Sequence, residues 1–194
     1  MDKRIIEFRR QLNARLDPRR YEHSLSVSFT SIALAMRYGY DINKAELAGL
    51  FHDCAKCYSD ETLIKQCGIN GVELSEEEQQ VKVTIHARYG AWLAKHQYHI
   101  QDEDVLSAIR YHTTGRPGMS LLEKIVFTAD FIEPRREKAK RLPELRILAF
   151  ENLDQTVYEI LYDSLQYLKE QGGRIDSMTQ KAFAYYQNKE REKA

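Results

Sequence analysis

Two histidines and two aspartates, His23, His52, Asp53 and Asp130, each stand in an apolar stretch of helical period: RRYEHSLSV, AELAGLFHDCAK and EKIVFTADFIEPRRE. Imidazoles and carboxylates buried in this way need a compensating charge, because an ionised carboxylate costs several kcal/mol to bury unless it is paired or binds a metal. A divalent cation meets that need. A fold that holds one must bring these distant segments to a single point.

The hydrophobic period stays close to that of a helix along the whole chain, and no segment alternates apolar and polar residues as a half-buried strand would. An all-α helical bundle is expected. The pattern predicts a helix from Lys3 to Leu16, then one capped by Asp17, with Pro18 in its first turn, that reaches Tyr38 and stops at Gly39. Asn43 is expected to cap a helix over Lys44 to Cys57, and Ser59 to open a short one ending at Gly68. Ser75 and the acids after it read as the start of the helix carrying VTIHARYGAWLAKH. Helices from Asp102 to His112 and from Leu121 to Ile132 follow, separated by TTGRPG and ended by Pro134. Long helices over Glu144 to Glu170 and Ser177 to Glu190 flank Gly172-Gly173. We read residues 1–194 as one domain, with the metal-binding core over 18–136 and C-terminal helices over 144–190.

A chain of 194 residues can remove roughly 70% of its unfolded surface from water, enough to enclose a polar site. Its 29 Lys and Arg balance 29 Asp and Glu, so no global field draws it to nucleic acid or an anionic membrane. The N-terminal residues are highly charged, and no stretch approaches the ~18 apolar residues of a membrane span, which predicts a cytoplasmic protein. The cysteines, Cys54, Cys57 and Cys67, do not make a secreted disulfide framework, and CAKC lacks both the further ligands of a zinc site and the strand-turn-helix setting of a redox motif. They read as packing thiols.

Adjacent residues on a helix project about 100° apart, so His52 and Asp53 could both reach an ion beside their helix. Leu47, Leu50 and Phe51 set that helix against a core, where facing helices add His23 and Asp130. Asp130 is the only acid in KIVFTADFI. Oxygen and imidazole donors without thiolate suit iron, manganese, zinc, cobalt or magnesium, and a ligand set that leaves positions open is catalytic rather than structural. His86 in VTIHARYGAWL and His112 in SAIRYHTTG add the possibility of a second ion bridged by Asp53. His96 and His99, at the polar end of a helix, read as solvated.

Phosphate-binding side chains cluster along the sequence with these donors. Lys56 follows Asp53, Arg20 precedes His23, Arg88 follows His86, and Arg110 precedes His112. Thr113, Thr114 and Gly115 offer donors just beyond, and Arg135 and Arg136 follow Asp130 beside Glu133. Together they suggest a polyphosphate cradle.

The order His23, His52-Asp53, Asp130 resembles the HD superfamily of metal-dependent phosphohydrolases. The segments RYEHSLSV, LAGLFHDCAK, IHARYGAWLA, IRYHTTGRPGMSLLEKIVFTADFIEPRR and GGRIDSMT are similar to the bacterial YqeK-type symmetrical bis(5′-nucleosyl)-tetraphosphatases over residues 18–180. The resemblance implies an all-helical HD fold, an iron-bearing site and cleavage of diadenosine tetraphosphate into two ADP. It implies His23, His52, Asp53 and Asp130 as metal ligands, with His86 and His112 at a second position and in reach of substrate. It further implies that Arg20, Lys56, Arg88, Thr113, Glu133, Arg135 and the backbone near Ile175 meet the nucleotide. Where the family has an aliphatic-His-Pro stretch, this chain has Ile175-Asp176-Ser177. Both readings fit metal-assisted hydrolysis in which Asp53 bridges the ions and Lys56 stabilises the departing ADP. A non-catalytic nucleotide sensor, or an HD nucleotidase or phosphodiesterase acting on another nucleotide, remains open, although no GYP follows the HD pair. Self-association as a homodimer is also open.

Overall fold

Residues 4–192 are described by a computed structural model, and no strand occurs among them. The predicted helix start at Lys3 lies outside the described residues. α1 (Ile5–Asn13) buries Ile5, Phe8 and Leu12, an i, i+3, i+7 stripe, and sets Phe8 edge-on against Phe51. α2 (Pro18–Tyr38) has the expected limits: the Asp17 side chain accepts from Arg20 N, and Gly39 at φ 68° closes it in the left-handed conformation glycine takes without strain.

α3 (Ile42–Phe51) begins two residues earlier than expected and ends six residues sooner. Asp41, not Asn43, is its cap and accepts from Asn43 N and Lys44 N. It ends at Phe51 with His52 as C-cap, and Asp53 to Cys57 form tightened turns in which Cys54 N binds Phe51 O, Lys56 N binds Asp53 O and Tyr58 N binds Ala55 O. The His-Asp pair therefore leaves the helix end rather than projecting from its side. α4 (Asp60–Ile69) starts at the Ser59 cap as expected.

The helix predicted after Ser75 is broken. Ser75 and Glu78 form a capping box for α5 (Glu76–Gln80), Val81 turns the chain at φ −101° and ψ 63°, and a 3-10 turn over Lys82–Thr84 leads into α6 (Ile85–His96). α7 (Glu103–Tyr111) is capped by Asp102 and ends on His112, and α8 (Leu121–Ile132) begins with a Ser120–Glu123 capping box and ends before Pro134. The long helix expected over Glu144 to Glu170 is two, α9 (Leu142–Glu151) and α10 (Leu153–Glu170), because Asn152 adopts extended angles and caps α10 through Gln155 N. α11 (Ser177–Arg191) is capped by Asp176.

The core lies between α2, α3, α6, α7 and α8, where Leu34, Ala48, Leu50, Ile85, Ile109, Leu122, Ile125 and Val126 are fully buried. Each large aliphatic side chain there contributes about 1.5–3 kcal/mol of burial. α2 and α3 meet backbone to backbone: a Cβ on Gly49 would lie 2.8 Å from both the Ser28 Cα and the Ser31 Oγ. That contact sets the distance at which His23 on α2 meets His52 just beyond α3. Among the described residues, no helix is long and apolar enough to cross a membrane.

Candidate metal centre

Four helix ends and one helix interior bring the six predicted donors together. α2 contributes His23, the end of α3 His52 and Asp53, the first turn of α6 His86, the end of α7 His112, and the last turn of α8 Asp130. His52 is fully buried, and His86, His112 and Asp53 nearly so.

The same local device fixes two of the imidazoles. His52 Nδ1 donates to Gly49 O at 2.7 Å, and His112 Nδ1 donates to Ile109 O at 2.7 Å. Each ring thus uses one nitrogen on an orphan carbonyl of its own helix end and turns an unprotonated Nε2 inward. His23 is held comparably, with Nδ1 3.3 Å from Glu133 Oε1.

The inward atoms crowd a small space. His23 Nε2 lies 3.2 Å from His52 Nε2 and 3.1 Å from Asp130 Oδ1, and His52 Nε2 is 3.6 Å from Asp53 Oδ2 and 3.9 Å from Asp130 Oδ1. On the other side, Asp53 Oδ1 is 3.2 Å from His86 Nε2 and 3.4 Å from His112 Nε2, which are themselves 3.2 Å apart. Thr113 Oγ1 is 3.0 Å from His112 Nε2 and 3.3 Å from His86 Nε2.

Two donor groups, His23/His52/Asp130 and His52/Asp53/His112, each fall within 4.8 Å. They share His52, whose Nε2 has one lone pair and whose Nδ1 is committed. His52 can therefore serve only one ion. Any second one would draw on Asp53, His86 and His112, for which Asp53 turns one oxygen to each side.

Electrostatics favours a cation here. Burial pushes His52 and His86 down to about 4, against the pull of Asp53, so both are neutral near neutral pH. Burial opposes ionisation of Asp53 and Asp130, but the imidazoles, and Arg136 for Asp130, outweigh it and hold both carboxyls well below the usual range. For His23 burial is likewise outweighed, by Asp130, Asp53 and Glu133, and its proton is held more tightly than usual. A proton on His23 or a cation must separate facing acceptors. The donor set, all imidazole and carboxylate, with His52 and His112 pinned from outside through Nδ1, fits a divalent metal.

The cradle residues divide. Arg20 Nη1 binds Asp53 Oδ2 at 2.7 Å. Lys56 is half-buried, its charge disfavoured by burial and favoured by Asp53, and it forms no ion pair with the other described residues. Arg88 binds both oxygens of Glu78, and Arg110 lies against the neighbouring Tyr111 ring. Arg88, Arg110, Thr84, Thr114, Asp176 and Ser177 help line a cleft of about 250 Å³ between the start of α6, the end of α7 and the loop holding Ile175. Glu77 accepts from Ser177 N and Oγ, closing that loop onto α5.

Two of the residues expected to meet the nucleotide have protein partners. Arg135 turns away to Glu22 and is largely exposed, while Arg136 binds Asp130 Oδ1 at 3.0 Å. Glu133, expected to meet the nucleotide, is buried behind His23, accepting also from Ser26 Oγ and Arg135 N at 2.7 Å. Its place three residues after Asp130, one turn along, was the available signal. Nothing in the sequence pointed to Ser26 or Arg136 as partners of these acids. His96 and His99 are exposed, as read, with His96 stacked on Trp92. Cys54 is buried against Gly90 O, and Cys57 is exposed.

The HD domain family profile matches residues 20–149. The chain is 39% identical over 153 residues to the symmetrical bis(5′-nucleosyl)-tetraphosphatase of Bacillus subtilis strain 168, covering 79% of this chain and 81% of that one. It is 36% identical over 188 residues to the enzyme of the same description from Staphylococcus aureus, covering 94% of each. The crystal structure of a predicted HD superfamily hydrolase involved in NAD metabolism, from Clostridium acetobutylicum, superposes with a TM-score of 0.92 at 40% identity over 95% of this chain and 97% of that one.

Proposed function

This chain belongs to the HD-domain family and, within it, to the symmetrical bis(5′-nucleosyl)-tetraphosphatases, and from that footing we propose that it hydrolyses diadenosine tetraphosphate to two ADP at the His23, His52, Asp53 and Asp130 centre. The observation that carries the reading is the inward convergence of Nε2 atoms whose outer nitrogens are already bound, with carboxylate oxygens 3.1–3.6 Å away. His23, His52, Asp53 and Asp130 would hold the first ion, and His86 and His112 a second beside Asp53. Iron is the metal we assign, with manganese, cobalt or zinc as substitutes the donors also accept. When bound, such a cation polarises a phosphoryl oxygen and acidifies water.

The chain's own side chains do the rest. Lys56 and Arg20 face the same carboxylate, so their charge meets a polyphosphate beside Asp53. Thr113 presents its hydroxyl at the His86 and His112 side. The 250 Å³ cleft next to it is of a size for a nucleoside, with Arg88 and Arg110 on its wall. One nucleoside diphosphate half seated there and on Lys56 would fix the cut at a constant number of phosphates from the held nucleoside.

The test is product analysis. Metal-reconstituted protein incubated with diadenosine tetraphosphate should release ADP alone. AMP with ATP would refute the register, and absence of turnover by metal-replete protein would favour a sensor.

A further inference from the structure

The carbonyls at the end of α8 are taken by two arginines rather than by water. The last carbonyls of a helix have no intrahelical donor. Arg136 Nε and Nη2 bind Asp130 O at 3.0 and 2.8 Å. Arg146, one full turn into α9, binds Ile132 O through Nε at 2.9 Å and, through Nη2, Glu133 O at 2.9 Å and Arg136 O at 3.1 Å. A single planar guanidinium thus holds three successive points of the turn that leaves α8.

That turn carries the partners of two candidate ligands. Glu133 Oε1 meets His23 Nδ1, and Arg136 Nη2 binds Asp130 Oδ1. Ser26 Oγ and Arg135 N occupy the other Glu133 oxygen, so the carboxylate has little freedom once its backbone is set. We propose that Arg146 is a positioning residue for the metal centre: by clamping the carbonyls of Ile132, Glu133 and Arg136 it aims Glu133 at His23 and Arg136 at Asp130. The proposal rests on the metal-centre reading above. Arg146 itself touches no ligand and acts through Glu133 and Arg136, and the fork geometry, more than the charge, makes the clamp.

Metal affinity reads this without turnover. Metal-depleted protein would be titrated with Co²⁺ and followed by visible absorption, with circular dichroism and thermal melting in parallel. Partners behind metal ligands are worth about 10–100-fold in affinity, so Glu133→Gln should weaken Co²⁺ binding by about tenfold or more. Arg146→Met should weaken it about tenfold at unchanged helical content, and Arg146→Lys should stay weakened, because an ammonium cannot span three carbonyls. The double variant Arg146→Met, Glu133→Gln should lose less than the product of the single losses, since both act on His23. Wild-type Co²⁺ affinity in Arg146→Met alongside a lower melting temperature would make the residue merely structural and overturn the proposal. A full recovery by Arg146→Lys would overturn the fork argument, and if the methionine variant does not fold, the lysine variant alone decides. Failure of the wild-type chain to bind Co²⁺ would instead remove the metal centre itself, and the clamp with it.

Discussion

Arg20 and Asp53 meet at 2.7 Å, and the guanidinium takes Oδ2 of the carboxylate, leaving Oδ1 to His86 and His112. Asp53 is almost wholly buried while the Arg20 side chain keeps 38% of its surface in water. The buried partner is therefore fixed and the arginine is the one that can move. A polyphosphate reaching the centre would find a guanidinium already at the rim, held by a carboxylate that a cation can take over.

From this pair follows the first prediction. Arg20→Ala should raise KM for the tetraphosphate by about 10–100-fold, the worth of a charge-assisted hydrogen bond of about 1.5–3 kcal/mol. Metal content should not change, because Arg20 is no ligand. Lys56→Ala should behave likewise, with the loss divided between KM and kcat according to whether the ammonium serves ground or transition state. Loss of metal from either variant would move that residue from the phosphate site to the metal site.

The second prediction concerns the ligands. His52→Ala or Asp53→Ala should abolish metal binding and hydrolysis together. Losing a ligand that binds only the native state costs about 3 kcal/mol at saturating metal, or about 6–12 °C in melting temperature for a chain of this size. Inductively coupled plasma analysis and a melting curve of each purified variant suffice. Full metal content with normal turnover in either would dismiss the site.

How far the sequence anticipated this centre depends on what kind of contact is asked about. His23, His52, Asp53, His86, His112 and Asp130 were legible because a polar residue in an apolar helical run is a local signal. The end of α3 was not: a continuing helix and a C-cap at His52 followed by tightened turns over residues 53–57 have the same apolar pattern, because the turn bonds run between backbone groups that carry no residue identity. Asn152 was missed for a related reason, since a polar residue in mid-helix becomes a cap only when the next helix must turn to reach the core. The Arg146 clamp left no trace at all, because carbonyls recognised by a side chain carry no residue identity.

The third prediction is a pH dependence of the metal-free protein. His52 and His86 are lowered by burial from 6.5 to about 4, so between those values the unfolded chain binds protons that the folded chain refuses. Stability must then fall as pH drops from about 6.5 toward 4. His23 is shifted the other way, so its contribution is complete below 6.5 and constant in this window. Asp53 and Asp130 are depressed from 3.8, and their loss begins only near and below that value. Melting temperature recorded across this range should decline steadily, and more shallowly in His86→Gln. A flat profile would mean that these imidazoles are not buried in the metal-free fold.

The last prediction concerns where the chain is cut. If one nucleoside diphosphate half is anchored in the cleft beside Thr114 and by Lys56 and Arg20, the scissile bond is set by distance from the held nucleoside and not by the length of the polyphosphate. Diadenosine pentaphosphate should then give ADP and ATP, never AMP with adenosine tetraphosphate, because the cut stays two phosphates from the anchored end. In ¹⁸O-enriched water one label should enter per turnover and should lie on a terminal phosphate, as direct attack by water on a phosphorus atom requires. Which product carries it distinguishes the attacked side: label on ADP places the attack on the anchored half, and label on ATP places it on the leaving half. A mixture of all cleavage patterns from the pentaphosphate would show that the cleft does not hold the nucleoside in a fixed register.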